Sequence, residues 1–207
     1  MNSPMGRSAT KKNGAIESSM PASKALDKLL EIEAWDVKQW TEVHKSENIQ
    51  VYKIKEEDSP VILIKAYAFF EDIAAEKIFR LIYDLDIRNT WDTTLHNMRL
   101  FDRINDNVDH MYSLFKAPGI GVSDRDFCQK RTKSMGYKGT SFIIHFESVD
   151  HAECPPIKKV VRAHTSISGY IIRPSQRKLG SSEMTIMTQT DIKVLDNKSR
   201  VWSRNGL

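Results

Sequence analysis

The stretch VSDRDFCQKRTK, residues 122 to 133, has the β-branched and aromatic content of a strand but charged residues at nearly every other step. In a strand, Arg125, Phe127, Gln129 and Arg131 share one face, and the residues between them share the other. If the first face points inward, Arg131 needs an anion, a carboxylate, carbonyl groups or trapped water, because an unpaired buried guanidinium costs several kcal/mol. Either an acidic side chain across the sheet or solvent at a strand end satisfies Arg131, or a bound ligand does.

The sequence carries none of the spacings typical of common catalytic sites. A G-x-S-x-G nucleophile elbow and an H-E-x-x-H motif are absent, and GIGVSD at 119 to 124 lacks the third glycine and the following helix of a dinucleotide loop. His110, His145 and His164 fall on different predicted strands, where a single histidine is more often structural or on the surface. We therefore predict no enzyme and no cofactor.

The composition is that of one globular domain without a strong charge bias. The chain has 207 residues, 40% of them hydrophobic, and a net charge of +4. Nucleic-acid binding is not expected, because Lys130, Lys133 and Lys138 lack the interleaved aromatic rings of a single-strand-binding face. Cys128 and Cys154 have no partner cysteines or histidine cluster at metal-ligand spacing, which indicates free thiols and no metal site.

The location predicted from the sequence is the cytoplasm. No apolar run approaches the roughly 20 residues of a membrane span. The first residues contain no apolar signal core, and Asn2 stands where myristoylation requires glycine.

Hydrophobic periodicity predicts an α+β domain that starts after residue 21. Residues 1–21 are rich in Ser, Lys, Asn and Gly and are predicted to form a disordered tail. Ser23 can cap a helix whose apolar residues recur as far as Val37, and a second helix is predicted from Asp72 to Asp86. Strand-like runs lie near 49–54, 61–70, 95–103, 108–115, 125–134, 140–149, 160–173 and 183–193. Consecutive strands with short links form an antiparallel sheet, which has to curve around something.

Five short motifs follow one another in an order and spacing typical of a known family. They are IRNTWD (87–92), VSDRDF (122–127), CPP (154–156), VVRAH (160–164) and TQTDIK (188–193). Together they resemble the StAR-related lipid-transfer (START) domain over about residues 22–193. The resemblance implies a helix-grip fold, of the START and Bet v 1-like kind, in which about nine antiparallel strands curl around a long helix and enclose an apolar lipid tunnel. It also implies a lipid ligand, transient contact with a membrane surface and no catalysis.

The resemblance implies which residues contact the lipid. In such domains the strand containing RDF turns Phe127, Gln129 and Arg131 toward the tunnel. Sterol-binding members have an acid at the position matching Tyr112, and this acid pairs with the arginine at the position of Arg131. A tyrosine at this position therefore argues against a sterol site. The lipid-binding residues implied are Arg88, Tyr112, Phe127, Gln129, Arg131, Ser166 and Ser168.

IRNTWD is most similar to the segment in members that transfer phosphatidylcholine, whose arginine at the position of Arg88 contacts the lipid phosphate. Arginine suits that role because its planar fork makes bidentate, charge-assisted bonds to phosphate oxygens. The alternative is an exposed Arg88 near the end of the second predicted helix, where a cation interacts favourably with the helix dipole.

The two residues that end this motif are expected to be structural. Trp91 is expected to fill the core, and Asp92 to cap a helix or pair with a cation.

The headgroup stays open, because a choline site needs an aromatic cage. Phe127 is aromatic, but Ser166 stands where the resemblance places a tyrosine, and Ser168 where it places a glutamine. Small hydroxyls could instead bond phosphoethanolamine, an inositol ring, or a ceramide or sterol hydroxyl. We expect a glycerophospholipid, with a sterol- or ceramide-binding START domain, or a Bet v 1-like small-molecule receptor or enzyme, as the alternatives.

The loop FKAPGIGVS (115–123) is predicted to be a membrane gate formed by Phe115, Pro118, Ile120 and Val122. The alternative is an ordinary buried hairpin loop.

After TQTDIK the family continues into a long amphipathic helix that closes the tunnel. Residues 194–207, VLDNKSRVWSRNGL, have no sustained helical stripe. We therefore predict an atypical C-terminal tail without the lid helix, and weak retention of lipid.

Overall fold

The computed structural model describes residues 22–117, 119, 122–137 and 141–193. Within them the chain forms three α-helices, a short 3-10 helix at Val37–Gln39 and ten β-strands. The elements in chain order are α1 (Ala22–Glu33), β1 (Thr41–Lys45), β2 (Ile49–Ile54), β3 (Leu63–Phe70), α2 (Ala75–Tyr83), α3 (Leu85–Trp91), β4 (Leu95–Asn105), β5 (Val108–Phe115), β6 (Arg125–Tyr137), β7 (Ser141–Ser148), β8 (Val161–Arg162), β9 (His164–Pro174) and β10 (Ser182–Asp191).

The strands form one curved sheet in the order β1-β2-β3-β10-β9-β7-β6-β5-β4, with antiparallel neighbours throughout. The two-residue strand β8 adds to the start of β6 in parallel. This is the predicted α+β helix-grip fold. The predicted run at 160–173 divides into β8 and β9, and β1 was not predicted because all five of its residues are exposed and show no apolar pattern.

Helix α1 covers the outer face of the sheet. Its Leu26, Leu29 and Ile32 are buried against outward-facing residues such as Ile143 and Ile171. The close approach of α1 to the sheet depends on Gly169 in β9. A Cβ at this position would lie 2.5 Å from the carbonyl oxygen of Ile144 and 2.6 Å from a methyl carbon of Leu29. Glycine is therefore required where the helix crosses the sheet.

Helix α1 ends at Glu33, four residues before the predicted end at Val37, and a buried lysine lies at this point. The fully buried Nζ of Lys65 donates to the carbonyl oxygens of Ile32, Glu33 and Trp35 at 3.1 to 3.2 Å. Burial lowers the pKa of Lys65, and the nearby Glu33 opposes that effect. The ammonium group satisfies carbonyl groups that a helix end leaves unpaired. Ser23 lies inside α1 rather than before it.

The predicted helix from Asp72 to Asp86 is divided into α2 and α3. Asp84 between them has extended backbone, and its carboxylate accepts hydrogen bonds from the N–H groups of Asp86 and Ile87. An aspartate in this position caps a new helix rather than continuing the old one. Helix α2 buries its apolar face on the inner side of the sheet, against residues that include Met111, Ile144 and Ile172.

No helix among the described residues is long and apolar enough to cross a membrane.

Candidate lipid-binding site

A cavity of about 410 Å³ lies on the inner face of the sheet, beside α3. Most of its wall is apolar or aromatic: Ile62, Ile64, Met98, Met111, Phe115, Phe127, Phe146, Tyr170 and Ile192. The remaining lining residues are polar: Arg88, Ser113, Gln129, Thr165, Ser168, Thr188 and Thr190. A mainly apolar cavity with a few polar groups is the usual form of a site for a small organic ligand.

Four of the seven predicted lipid-binding residues line this cavity: Arg88, Phe127, Gln129 and Ser168. Strand alternation in β6 is as predicted, with Phe127 and Gln129 facing inward and Cys128 packing on the outer face. Phe127 also meets the ring of Phe115 edge to face at 5.5 Å between centroids. The structure therefore brings the RDF strand and the IRNTWD helix to one site.

A chain of hydrogen bonds joins the polar residues on one wall. Nε2 of Gln129 donates to Oγ1 of Thr165 at 3.0 Å. Oγ1 of Thr165 lies 3.1 Å from Oγ1 of Thr190, which lies 2.9 Å from Oγ1 of Thr188. The sequence interpretation did not include these threonines, although the spacing of two between Thr188 and Thr190 in TQTDIK places both on one strand face.

Ser166 does not reach the cavity. The pairing of β9 with β10 shifts between Gln189 and Thr190, so that Thr165 and Ile167 have partners and Ser166 forms a bulge between them. Ser166 is exposed, and Thr165 takes the inward position. A single extra residue in a strand moves a side chain to a different face, and strand periodicity alone does not show it.

Arg131 pairs with an acidic side chain, one of the alternatives that the sequence left open, and is corrected from a lipid-binding residue to a partner in a buried ion pair. Nε and Nη2 of Arg131 donate to the two carboxylate oxygens of Asp109 at 2.9 and 2.8 Å, and Nη1 donates to the carbonyl oxygen of Tyr83 at 2.8 Å. The guanidinium also lies over the Tyr83 ring at 3.8 Å. Both side chains of the ion pair are 3% exposed, so Arg131 is satisfied within the protein rather than by a ligand.

Tyr112 lies on the opposite face of β5 from Asp109. Strand alternation turns Asp109, Met111 and Ser113 inward, and Tyr112 packs against Cys128 and Cys154 on the outside. The acid that pairs with Arg131 is Asp109, three residues before Tyr112 in the same strand. Tyr112 is therefore corrected from a lipid contact to a residue of the outer core.

The two cysteines are free thiols, as predicted, and both are buried. Burial, together with a hydrogen bond to Cys154, raises the pKa of Cys128 to about 12. The thiol of Cys128 is therefore protonated at neutral pH and behaves as a core group.

Arg88 lines the cavity while sharing its charge with Asp92. Its Nε and Nη2 donate to the same carboxylate oxygen of Asp92 at 3.2 and 3.1 Å. Burial tends to raise the pKa of Asp92, but hydrogen bonds from Thr94 and Arg88 outweigh it and lower that pKa. Among the described residues, Nη1 of Arg88 has no hydrogen-bond partner. Asp92 thus orients the guanidinium and leaves one of its nitrogens available.

Trp91 is not a core residue, contrary to the expectation. Its side chain is 47% exposed, and its Nε1 donates to the carbonyl oxygen of Leu81 at 2.9 Å. The guanidinium of Arg88 lies 5.6 Å from the indole ring. Trp91 therefore joins α3 to α2 and flanks the arginine. Asp92 does pair, as expected.

The motifs RDF and VVRAH meet in a buried ion pair. Arg162 donates from Nε and Nη2 to the two oxygens of fully buried Asp126, both at 2.9 Å. It also donates to the carbonyl oxygens of Cys154 and Pro155. The pair therefore holds the CPP segment beside the start of β6.

The described part of the predicted gate lines a second cavity of about 430 Å³, which shares three lining residues with the first. The shared residues are Phe115, Phe127 and Ile192, and the others are Lys116, Ala117, Val122 and Arg125. Val122 and Ile192 are each 46% exposed. Phe115 and Val122 thus lie at a mouth of the cavity, while Pro118 and Ile120 lie outside the described residues.

A separate cavity of about 410 Å³ lies on the outer face, at the end of α1. Four of its charged residues form two ion pairs: Arg173 donates to both oxygens of Glu33 at 2.6 and 2.7 Å, and Arg177 lies 3.1 Å from Glu183. None of the described residues that the sequence predicted for lipid binding lies there.

The START domain family model matches residues 22–194 of this chain. The chain belongs to the START family. The START domain-containing protein 10 of Mus musculus is 30% identical over 122 residues, which cover 59% of this chain and 40% of that protein. The ceramide transfer protein of Homo sapiens is 24% identical over 136 residues, covering 62% of this chain and 22% of that protein.

Solved structures of this family have the same fold. Human STARD10 aligns with a TM-score of 0.74 and 24% identity over 91% of this chain and 74% of that chain. Human StAR-related lipid transfer protein 5 aligns with a TM-score of 0.76 and 17% identity over 88% of this chain and 86% of that chain. This chain covers 18 to 40% of the length of the curated relatives that it matches.

Proposed function

We propose that this START domain holds one lipid in the inner cavity and carries it between membranes without covalent chemistry. The observation that carries this proposal is the combination of an apolar cavity, one hydrogen-bonded polar wall and an arginine with an unused nitrogen at its edge. The names of two relatives, StAR-related lipid transfer protein 5 and ceramide transfer protein, agree with carriage of a lipid.

Solvation energy requires such a carrier to enclose its ligand. Two acyl chains of about 30 methylenes exposed to water would cost roughly 24 kcal/mol at ~0.8 kcal/mol per methylene. Loading and release therefore belong at a membrane surface. The mouth formed by Phe115, Val122 and Ile192 suits this step, because exposed apolar residues lie beside Lys116 and Arg125, whose charges favour an anionic leaflet.

A glycerophospholipid is the ligand that Arg88 favours. Its Nη1 can donate to a phosphate oxygen while Asp92 keeps the guanidinium in place. The polar wall of Gln129, Thr165 and Thr190 then lies within the same cavity for ester or headgroup oxygens. The location proposed is the cytoplasm, with transient membrane contact.

A ceramide or sterol is the second candidate, and the polar wall is the observation that favours it. The side-chain amide of Gln129 and three threonine hydroxyls form one hydrogen-bonded series. These groups can exchange hydrogen bonds with the amide and hydroxyl groups of a ceramide or with the single hydroxyl of a sterol. Tyr112 gives no reason to exclude a sterol, because Arg131 has Asp109 as its acidic partner.

The test is lipid identification followed by transfer. The full chain is purified from a cell lysate, its bound lipids are extracted and identified by mass spectrometry, and transfer between vesicles is measured for each lipid class found. Co-purified phospholipid that the protein moves between vesicles supports the proposal. Sterol or ceramide alone supports the second candidate, and a protein that neither retains nor moves any lipid overturns both.

A further inference from the structure

Two histidines and an aspartate lie together on the outer face of the sheet, on the side opposite the lipid cavity. Oδ2 of Asp102 in β4 is 3.3 Å from Nδ1 of His110 in β5 and 3.9 Å from Nε2 of His151, in the loop after β7. One donor atom from each residue lies within 4.8 Å of the other two. Neither the lipid site nor the family motifs use these residues.

We propose that Asp102, His110 and His151 bind one divalent transition-metal ion, with zinc(II) the best fit. Two imidazole nitrogens and one carboxylate oxygen form a donor set that zinc prefers, and three protein ligands leave a fourth position for water. The three groups carry one net negative charge when the imidazoles are neutral, which favours a cation over an anion.

The three donor atoms must move closer together to hold an ion. Donor atoms about 2.0–2.1 Å from a tetrahedral zinc ion lie about 3.4 Å from each other. The separation of Asp102 from His110 already has this value, and the separation of Asp102 from His151 must shorten by about half an ångström. The two histidine nitrogens lie within 4.8 Å of each other and must approach by up to about 1.4 Å. Asp102 is 44% exposed and His151 lies in a loop, so both side chains have room to adjust.

The rings are held by an aromatic neighbour. Phe101 packs against His110 and His151 with centroid distances of 6.0 and 4.9 Å, and the two histidine rings are 5.0 Å apart. Packing of this kind restricts the orientations of the two rings before an ion arrives. The charge of Lys130, directly opposite His110 in β6, opposes cation binding, but its ammonium lies 2.5 Å from the carboxylate of Glu147.

Metal binding would replace one hydrogen bond. Nδ1 of His151 accepts a hydrogen bond from the N–H of Glu153 at 3.2 Å. A neutral ring that binds zinc through Nε2 carries its proton on Nδ1, so this contact must open. Glu153 lies in an exposed turn, where water can take the place of the lost acceptor.

The ion would fasten the loop after β7 to the β4–β5 hairpin. This loop also carries Cys154 and Pro155, which Arg162 holds beside the start of β6. The loop therefore gains a second attachment, and zinc should raise the thermal stability of the protein.

The experiment titrates zinc chloride into the full chain, purified without a histidine tag, by calorimetry, and records the visible spectrum with cobalt(II) in place of zinc. The expected result is one ion per chain, cobalt absorption bands typical of four-coordinate geometry, and a higher melting temperature. His110→Gln and His151→Gln should each weaken zinc binding at least about tenfold. The matched control is His164→Gln, an exposed histidine on β9, which should bind zinc as the natural chain does.

Asp102→Asn keeps the proposal testable if a histidine variant fails to fold, because this side chain is largely exposed. Loss of zinc affinity in this variant, with an unchanged melting temperature in metal-free buffer, supports the site. Zinc binding that survives both His110→Gln and Asp102→Asn would overturn it. A natural chain that binds no zinc would also overturn it, and would mean that the carboxylate only accepts a hydrogen bond from His110 and lies near His151.

Discussion

The guanidinium of Arg162 donates two hydrogen bonds of 2.9 Å to the carboxylate of Asp126, the fully buried second residue of strand β6. Two motifs that are far apart in the sequence thus form one structural unit. Asp126 is not part of the lipid site, because its side chain faces away from the cavity.

Replacing Asp126 by Asn should destabilise the fold by about 3 kcal/mol. Breaking a buried ion pair leaves the other charge without compensation, and the cost is at the lower end of the usual range because Arg162 keeps some access to water. Urea denaturation measures the change in the free energy of unfolding. Asp58→Asn, an exposed aspartate, is the control and should change it by less than about 0.5 kcal/mol. Equal changes for the two variants would show that the ion pair contributes nothing.

Replacing Arg88 by Leu should weaken phospholipid binding by about 1 to 3 kcal/mol, the scale of losing a charge-assisted hydrogen bond. The comparison is made in an Asp92→Asn background, since removing Arg88 alone would leave a nearly buried carboxylate unpaired. Binding of a phospholipid and of a sterol to lipid-depleted protein is measured side by side. Arg80→Leu, on the exposed side of α2, is the matched control. An equal loss for both lipids would make Arg88 a structural residue.

Val122→Asp should slow lipid transfer between vesicles without lowering the melting temperature. The side chain is 46% exposed at the mouth of the cavity, so a carboxylate costs little in water but opposes contact with an apolar or anionic membrane surface. Val43→Asp is the control, because Val43 is 49% exposed on edge strand β1. A transfer rate equal to that of the control variant would remove Val122 from the gate.

His145 should make the fold less stable as the pH falls from about 6.5 to about 4. Burial and the charge of Lys130 lower the pKa of His145 to about 4. The unfolded chain then binds a proton that the folded chain does not, so stability rises with pH across this window and is lost as pH falls through it. The full effect is about 3 kcal/mol from the linkage relation.

The measurement compares the natural chain with His145→Gln by urea denaturation at pH 7.5 and pH 5. The difference between the two proteins should change with pH in the direction given, whereas exposed His164→Gln should follow the natural chain. Parallel pH profiles for all three proteins would contradict the buried, neutral state of His145.

Local chemistry was sufficient to predict most strands and the faces of β6. β-branched runs between short turns predicted β5 at Val108–Phe115 with both ends correct, and a period of two placed Phe127 and Gln129 on one face. These features depend on neighbours within a few residues, and such neighbours are visible in the sequence. The break at Asp84 is also a local signal, but apolar residues continue at helical spacing on both sides of it and predict one uninterrupted helix.

The sequence by itself determined the family, the helix-grip fold, and Arg88, Phe127, Gln129 and Ser168 as residues of one cavity. Only the tertiary structure decided which groups are already satisfied. Asp109 pairs with Arg131, the bulge at Ser166 turns Thr165 inward, and the hairpin and a distant loop bring Asp102, His110 and His151 together. The physical reason is that strand register and loop closure set these distances, and both depend on contacts between segments that no local pattern records.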